Sequence, residues 1–161
     1  KINDHFIRFW YRFVDRLRSD LEFQDYREVY EVSIQPRLND YMGIYSFEDV
    51  CHQFLKIKGS DVLGQGIRRA SRYCSRDGSL EIDVMAELVD GSYLFGECKW
   101  SSSPVGVAVY YALRDKVARM PERYRNSARY ILFSAAGFDN NLSVTAERDG
   151  VVLVTAEDIT G

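Results

Sequence analysis

Residues 80–100 read LEIDVMAELVDGSYLFGECKW, and this stretch decides the fold that the sequence predicts. Its first half alternates apolar and charged residues, as a strand does when successive side chains point to opposite faces of a sheet. A turn with Asp90-Gly91 follows, and the second half is again rich in residues that favour strands. The stretch therefore predicts an antiparallel hairpin with strands over 80–89 and 92–100.

The turn allows two pairings of these strands, and they differ in where the charges lie. A two-residue turn on Asp90-Gly91 places Lys99 on the same face as the aliphatic residues. A three-residue loop with Gly91 in the left-handed conformation shifts the pairing by one residue and places Asp83 opposite Glu97. We prefer the second pairing because it separates apolar from charged residues, and a slip by one residue reverses every side chain.

One face of the hairpin is then predicted to be apolar and to cover the core. From the second strand it carries Cys98, as inert packing, and Trp100, whereas Phe95 lies on the opposite face with the charged residues. From the first strand it carries four aliphatic residues, Ile82, Val84, Ala86 and Leu88.

The other face brings two carboxylates together. Directly opposed residues have Cβ atoms about 4.5–5.5 Å apart, and carboxylates that close repel each other unless positive charge lies between them. A divalent cation such as Mg²⁺, bound by oxygen ligands, would supply that charge, and Lys99 on the same face would contact the same substrate group. The alternative is a solvated cluster of ion pairs formed by Glu81, Asp83, Glu97 and Lys99.

Helical patterns precede the hairpin. Apolar residues at helical spacing predict three helices, over 2–17, 24–34 and 46–57. The second is predicted to end before Pro36, since the residue before a proline avoids the helical region, and the third to end at Gly59.

Strands and helices alternate in the second half of the chain. Beside the hairpin, the sequence predicts strands over 66–75, 128–134 and 151–155, and helices over 105–120 and 141–148. Strands separated by helices imply crossover connections, so the predicted fold is α/β with a mixed sheet.

The composition is that of a folded globular chain. It has 161 residues, of which 46% are hydrophobic and 28% charged, with a net charge of −3, and no apolar run is long enough to span a membrane. Three scattered cysteines and two histidines form no zinc-binding spacing, and they predict reduced thiols and a cytoplasmic location. Because an apolar helical pattern begins at once after Lys1, we expect a fragment of a longer protein.

The residues of the hairpin and of three further segments resemble those of a known family. Asp83, followed fourteen residues later by Glu97-Cys98-Lys99, resembles the D…(D/E)-x-K signature of the PD-(D/E)XK nuclease superfamily, although E-x-K alone is common by chance. Five segments in order are more specific and resemble the uncharacterised C-terminal domain of archaeal-type AAA+ family ATPases. They are DHFIRFWYRFV (4–14), YMGIYSFEDVCHQFL (41–55), LEIDVMA (80–86), LFGECKW (94–100) and ILFSAAGF (131–138).

The resemblance implies a restriction-endonuclease-like core of order αβββαβ over 41–161, with an N-terminal helical segment, 1–40, that packs on it. It also implies a site for a catalytic Mg²⁺ or Mn²⁺. In that site Asp83, Glu97 and Glu48 would bind the metal, and Lys99 would position the attacking water or stabilise charge on a DNA phosphate. The alternative for Glu48 is an acid that stabilises the first turn of its helix, and the role of Glu81 stays open.

Two basic stretches are candidates for DNA contact. One precedes the hairpin, and in the other, 114–129, six basic residues oppose two acids, as phosphate neutralisation requires. The alternative is a solvated surface, and the acidic pI of about 5.4 argues mildly against a general nucleic-acid binder. The predicted contacts are Arg68, Arg69, Arg72, Arg76, Arg114, Lys116 and Arg119.

The resemblance also implies an N-terminal ATPase domain as a partner. This chain itself has no G-x-x-x-x-G-K-[ST] phosphate loop, so we do not expect it to bind ATP. An aromatic stripe predicts core packing, with the ATPase domain or a second copy of the chain as alternative partners; it comprises Phe6, Phe9, Trp10 and Phe13. The leading hypothesis is a metal-dependent deoxyribonuclease. The alternative is a non-catalytic module that binds DNA or protein, or regulates the ATPase.

Overall fold

The computed structural model describes residues 4–161, so the predicted helix start at Ile2 lies outside the described residues. Two compact units meet after Ser46: an N-terminal unit, Lys1–Ser46, and a C-terminal unit, Phe47–Gly161. Within the described residues, no helix is long and apolar enough to cross a membrane.

The N-terminal unit consists of two helical stretches. The first comprises α1 (His5–Phe9), a π-helical turn (Trp10–Val14), a 3₁₀ turn (Asp15–Leu17) and α2 (Arg18–Phe23). The second comprises α3 (Tyr26–Val29), a π-helical turn (Tyr30–Ile34) and α4 (Gln35–Tyr45). The predicted end before Pro36 is wrong, because the helical stretch continues through Pro36, which lies where the π-helical turn passes directly into α4.

A small aromatic core holds this unit together. Phe13, Ile34 and Tyr41 are buried, and Phe9 packs against them. The aromatic stripe is therefore core only in part, since Phe6 is 69% exposed.

The C-terminal unit contains a five-stranded mixed sheet in the order β1-β2-β3-β4-β5. The antiparallel strands are β1 (Ile67–Cys74), β2 (Glu81–Leu88) and β3 (Tyr93–Lys99), and β4 (Ala128–Ser134) and β5 (Val152–Thr155) continue the sheet in parallel. The helices are α5 (Phe47–Leu63), α6 (Val107–Ala118), α7 (Glu122–Arg125), α8 (Asn140–Asp149) and α9 (Ala156–Thr160). The predicted α/β fold with a mixed sheet is confirmed.

Helices cover both faces of the sheet. On the α5 face, Phe54 and Leu55 pack with Val84, Leu94 and Phe133. On the other face, residues of α6 and α8 pack with strand residues in a second cluster that includes Phe95, Leu113, Val117, Leu132 and Leu142. Side chains pointing to either face of β3 are therefore withdrawn from water.

The turn of the hairpin adopts the three-residue form. Leu88 N donates to Ser92 O at 2.9 Å, Gly91 N donates to Leu88 O at 3.1 Å, and Gly91 has a φ of 86°. The ladder pairs Val84 with Gly96, and the pairing continues in register towards the turn. The preferred pairing of the strands is confirmed.

The predicted alternation along β2 is wrong at Ile82. Between the pairs Ser71–Met85 and Tyr73–Ile82, β2 advances three residues while β1 advances two. This is a β-bulge, which reverses the direction of the following side chain. Ile82 consequently joins the core on the α6 face, whereas Val84 faces α5.

The helix α5 is longer than predicted and passes through Gly59 to Leu63. A Cβ on Gly59 would lie 2.6 Å from Ile67 Cδ1. Gly59 therefore allows β1 to approach the helix and does not end it.

Candidate active site

The open end of the β2–β3 hairpin carries the two predicted carboxylates. The ladder ends at the pair of Val84 and Gly96, and the next residues outward are Asp83 and Glu97. Only 9% of Asp83 and 8% of Glu97 is exposed. These two carboxylates therefore do not lie on a solvated face, as the ion-pair alternative required, whereas the side chains of Glu81 and Lys99 are 54% and 41% exposed.

Asp83 lies at the bulge and is held by backbone contacts. Its Oδ2 accepts a hydrogen bond from Cys98 N at 2.9 Å, and its carbonyl oxygen accepts one from His52 Nε2 at 2.8 Å. Burial raises the pKa of Asp83, and the charge of Glu97 raises it further, while the Cys98 hydrogen bond opposes both. Asp83 is therefore a carboxylate whose charge is only partly compensated.

Glu97 has the opposite environment. Its Oε1 accepts a hydrogen bond from Lys99 Nζ at 2.8 Å, and its Oε2 accepts one from Lys116 Nζ at 2.9 Å. Burial favours the neutral acid, but the two ammonium groups outweigh it and lower the pKa of Glu97. Burial also opposes the charge of Lys99, and the bond to Glu97 outweighs it, so the pKa of Lys99 is raised.

Glu48 lies in the first turn of α5, close to Asp83. Partial burial raises the pKa of Glu48, and the charge of Asp83 adds to that effect. Arg72 Nη1 lies 3.5 Å from Glu48 Oε2 and compensates part of the charge. The fold thus brings Glu48 close enough to Asp83, and Asp83 close enough to Glu97, for each pair to interact electrostatically.

Glu81 pairs with Arg72 and not with Lys99. The pairing of the hairpin suggested that Glu81 would face Lys99, but Lys99 binds Glu97 and Glu81 Oε1 lies 3.0 Å from Arg72 Nε. The bulge explains the difference, because it breaks the register between β2 and its neighbours just before this position.

The predicted DNA contacts fall into different surroundings. Arg68 and Arg69 form ion pairs with Glu87, and Arg72 with Glu48 and Glu81. Arg114 lies 3.7 Å from Asp149 and over the rings of Tyr110 and Tyr111. Arg76 lies in the β1–β2 connection and Arg119 at the end of α6, and both are exposed. Within the part of the chain that the structure describes, Lys116 is the only one of the seven predicted DNA contacts that is bonded to Glu97.

Sequence reasoning missed two residues of the site. His52 was considered only as a zinc ligand, although it follows Glu48 by four residues and so lies on the same face of α5. Lys116 was assigned to a basic surface, and its approach to Glu97 depends on how α6 crosses the sheet, which spacing along the chain does not reveal.

Cys98 packs on the α5 face, as predicted. A hydrogen bond with Cys51 and burial raise the pKa of the Cys98 thiol, so the thiol stays protonated and unreactive. Its contribution to the site is its backbone N–H, which orients Asp83.

The donor set suits a hard divalent cation. Asp83 and Glu97 supply carboxylate oxygens, the ligands that Mg²⁺ and Mn²⁺ prefer. Asp83 Oδ1 accepts no hydrogen bond from any residue that the structure describes. Among residues 4–161, no group of three or more His, Cys, Asp or Glu side chains is arranged to hold a metal ion. The residues therefore fit a cation in donor type and charge, as a pair of carboxylates.

The fold is restriction-endonuclease-like. The structure is similar to that of the MspJI restriction endonuclease in complex with a 27-mer oligonucleotide, with a TM-score of 0.52 and 13% identity over 84% of this chain and 31% of that one. A repair endonuclease from Pyrococcus abyssi matches with a TM-score of 0.47 and 18% identity, over 65% of this chain and 44% of that one. EndoMS in its apo form matches with a TM-score of 0.49 and 17% identity, over 69% and 46%. The chain thus spans less than half the length of each of these three proteins.

Residues 10–119 match the DUF234 family, described as archaea bacterial proteins of unknown function. The match covers more than half of the chain, and the chain belongs to this family. No curated protein matches the sequence.

Proposed function

We propose that the C-terminal unit is a divalent-metal-dependent nuclease that hydrolyses DNA phosphodiester bonds. The observation that carries this proposal is the burial of Asp83 beside Glu97 and Lys99 at the open end of the hairpin. In the described residues the hydrogen-bond partner of the Asp83 carboxylate is a backbone N–H and not a cation; a carboxylate buried in this way lowers stability, and residues with pKa values raised by burial are concentrated at functional sites. Asp83 costs stability where it lies, so a role in chemistry accounts for it better than packing does.

Each side chain has a role in this proposal. Asp83 and Glu97 would hold Mg²⁺ or Mn²⁺, and Glu48 would complete the metal site. When bound, the cation supplies a water activated near neutral pH and a counter-charge to the phosphate. Cys98 N–H holds Asp83 Oδ2 and so leaves Oδ1 for a ligand. Lys99, 41% exposed at its side chain, presents a positive charge that positions the water or stabilises the developing negative charge on the phosphate.

DNA is the substrate class that we propose. The MspJI structure, which shares the fold, holds an oligonucleotide, and the phosphate backbone requires positive groups near the cleavage site. Arg76 and Arg119 are exposed and are the first candidates for such contacts. Arg68, Arg69, Arg72 and Arg114 would have to exchange an acidic partner for a phosphate.

The proposal includes the wider setting that the family resemblance implies. In the parent protein an ATPase domain would precede this domain, in the cytoplasm, and would couple ATP hydrolysis to the handling of DNA. All three cysteines are free thiols, which is consistent with a reducing compartment. Association with that ATPase domain, or with a second copy of the chain, is part of the same proposal.

The test is a cleavage assay with supercoiled, linear, branched and single-stranded DNA, each with Mg²⁺, Mn²⁺ or EDTA. Cleavage by the wild type with metal, and its loss in Asp83→Ala and in Lys99→Ala, would support the assignment. Cleavage that persists in Asp83→Ala would overturn the site. A lack of cleavage on all four substrates would overturn the nuclease proposal for this chain.

One observation favours a second candidate, a non-catalytic module that binds DNA or protein. Both oxygens of Glu97 are bonded to lysines, as in a structural ion-pair cluster. In that case the chain would bind DNA or the ATPase domain with the same affinity in the presence and in the absence of metal. Binding measured in EDTA and in Mn²⁺, with no cleavage in either, would favour this candidate.

A further inference from the structure

Lys116 is bonded to the carboxylate that the nuclease proposal assigns to the metal. Its Nζ lies 2.9 Å from Glu97 Oε2, and Lys99 Nζ lies 2.8 Å from Glu97 Oε1. The Glu97 side chain is only 11% exposed, compared with 32% for Lys116 and 41% for Lys99. The two lysines thus enter the site from the solvent side and occupy both oxygens of a buried acid.

The packing of α6 determines this contact. Leu113 and Val117, which flank Lys116 along the helix, are each 1% exposed and lie in the core on that face of the sheet. The helix is therefore anchored on both sides of Lys116, and its side chain extends from a fixed backbone towards Glu97. In contrast, Arg114 on the same helix lies against Asp149.

Two positive groups thus share one carboxylate. The ammonium groups of Lys99 and Lys116 are both bonded to Glu97, while Asp83 interacts with all three only electrostatically. A divalent cation that approaches Glu97 is therefore repelled by both ammonium groups unless one of them leaves, because charges in a partly buried site are weakly screened.

We propose that Lys116 is an internal counter-ion of Glu97, which a divalent cation displaces when it binds. In the metal-free protein the Lys116 ammonium neutralises Glu97 Oε2. On metal binding that oxygen turns to the cation, and the freed ammonium moves to the solvent side, where the DNA phosphate would lie. Lys116 is thus a positioning residue that sets the metal affinity. This inference rests on the proposed function, because it assumes that Glu97 binds the metal.

Charge balance predicts the effect of removing Lys116. Lys116→Met removes one of the two positive charges beside Glu97 while the apolar stem is kept, so Mn²⁺ should bind about tenfold more tightly than to the wild type. Lys116→Arg keeps the charge and should bind Mn²⁺ within about twofold of the wild type. Lys58→Met, on α5, removes one positive charge elsewhere in the same unit and serves as the matched control; its Mn²⁺ affinity should not change.

The experiment is titration of the full chain with Mn²⁺ by isothermal calorimetry, with the number of bound ions counted by electron paramagnetic resonance. Tighter binding by Lys116→Met alone supports the inference. Equal or weaker binding by Lys116→Met, with Mn²⁺ still bound by the wild type, overturns the inference and leaves the metal site standing. A lack of Mn²⁺ binding by both proteins overturns the metal site and the inference with it.

A second measurement detects the ion pair without metal. Thermal unfolding in EDTA is compared for Lys116→Met, Glu97→Gln and the double variant. Lys116→Met should lower the melting temperature by about 2–4 °C in the wild-type background and by less in the Glu97→Gln background. Equal losses in both backgrounds would show that Lys116 does not interact with Glu97 and would overturn the inference. If Lys116→Met fails to fold, Lys116→Gln replaces it.

Discussion

The two ends of the β2–β3 hairpin differ in their hydrogen bonding and in the kind of side chains that they bury. At the turn end the β2–β3 ladder is regular, with residues 84–87 of β2 in one register, and apolar side chains are buried on both faces, while the β1–β2 ladder shifts register there on the β1 side, between Ile67 and Arg69. At the open end a bulge interrupts β2, the ladder stops, and a backbone N–H of β3 bonds to the Asp83 side chain. The same two strands therefore form a stable core at one end and a cluster of buried charges at the other.

This difference separates a stabilising part of the hairpin from the part that carries the proposed site. The turn end gains free energy by removing apolar surface from water, whereas the open end loses free energy by burying Asp83. Within the open end the two acids also differ, since the Glu97 carboxylate is bonded to two lysines and the Asp83 carboxylate to the backbone N–H of Cys98. Substitutions at the two ends should consequently change the free energy of unfolding by different amounts and with different signs.

The largest effect is expected in the apolar part of the hairpin. Phe95 is fully buried in the core on the α6 face, so Phe95→Ala should lower the free energy of unfolding by about 3–5 kcal/mol. Chemical denaturation followed by circular dichroism measures this loss. A loss below about 1 kcal/mol would show that this part of the hairpin is not the stable one.

The two acids should respond in opposite directions at neutral pH. Asp83→Asn should raise the free energy of unfolding by about 1 kcal/mol, because it removes a poorly compensated charge and keeps an oxygen for the Cys98 N–H. Glu97→Gln should lower it by about 1 kcal/mol, a modest loss because both lysines can turn to solvent. Chemical denaturation in EDTA measures both, and a change of the same sign in the two variants would contradict the difference between the acids.

A similar loss, about 1 kcal/mol, is expected at the turn itself. Gly91 has a φ of 86° with open space around it, so Gly91→Ala meets no clash but adopts a conformation that side chains disfavour. Gly91→Asn is the matched control, because Asn tolerates this conformation better, and it should lose less stability. If Ala and Asn behave alike in thermal unfolding, the left-handed turn does not fix the register.

The smallest effect is expected in how the contributions of Asp83 and Glu97 to the free energy of unfolding change with pH. The folded-state pKa of Asp83 is raised above 3.8, so its contribution is fully present below pH 3.8 and lost as the pH rises through the folded-state pKa. The folded-state pKa of Glu97 is lowered below 4.5, so its contribution is present above pH 4.5 and lost as the pH falls through the folded-state pKa.

These signs lead to a simple expectation. As the pH falls from 7 to 3, Asp83→Asn should stabilise the protein less and Glu97→Gln should destabilise it less. In acid, each change in the free energy of unfolding should be less than about 1 kcal/mol. Denaturation of the three proteins across this range tests the expectation. A gain for Asp83→Asn that grows in acid would contradict the raised pKa of Asp83.

The sequence predicted the turn end well and the open end only in part. The period of two, together with Gly91 and the separation of charges, was sufficient to select the register, because a slip by one residue exchanges the two faces. The proximity of Asp83, Glu97 and Lys99 was predicted for the same reason, and their role stays a prediction. The bulge was not predicted, since its cause is the pairing of β2 with β1 and both strands contribute to it.

The remaining errors also concern contacts between distant segments. Gly59 and Pro36 are helix breakers by local preference, but one allows close packing against Ile67 and the other lies where a π-helical turn passes directly into α4. Lys116 reaches Glu97 through the crossover of α6, a contact across 19 residues. Local patterns predict elements and faces, whereas the counter-ions of a buried site depend on how those elements are assembled.

The most direct measurement compares wild type and Asp83→Asn in the same preparation, for stability in EDTA and for DNA cleavage with Mn²⁺. If Asp83 is retained for catalysis at the expense of stability, Asp83→Asn will unfold at a higher denaturant concentration and cleave at least about 100-fold more slowly. Unchanged cleavage in this variant, or lost cleavage that accompanies lost stability, would contradict the assignment of Asp83 as a metal-binding residue of a nuclease.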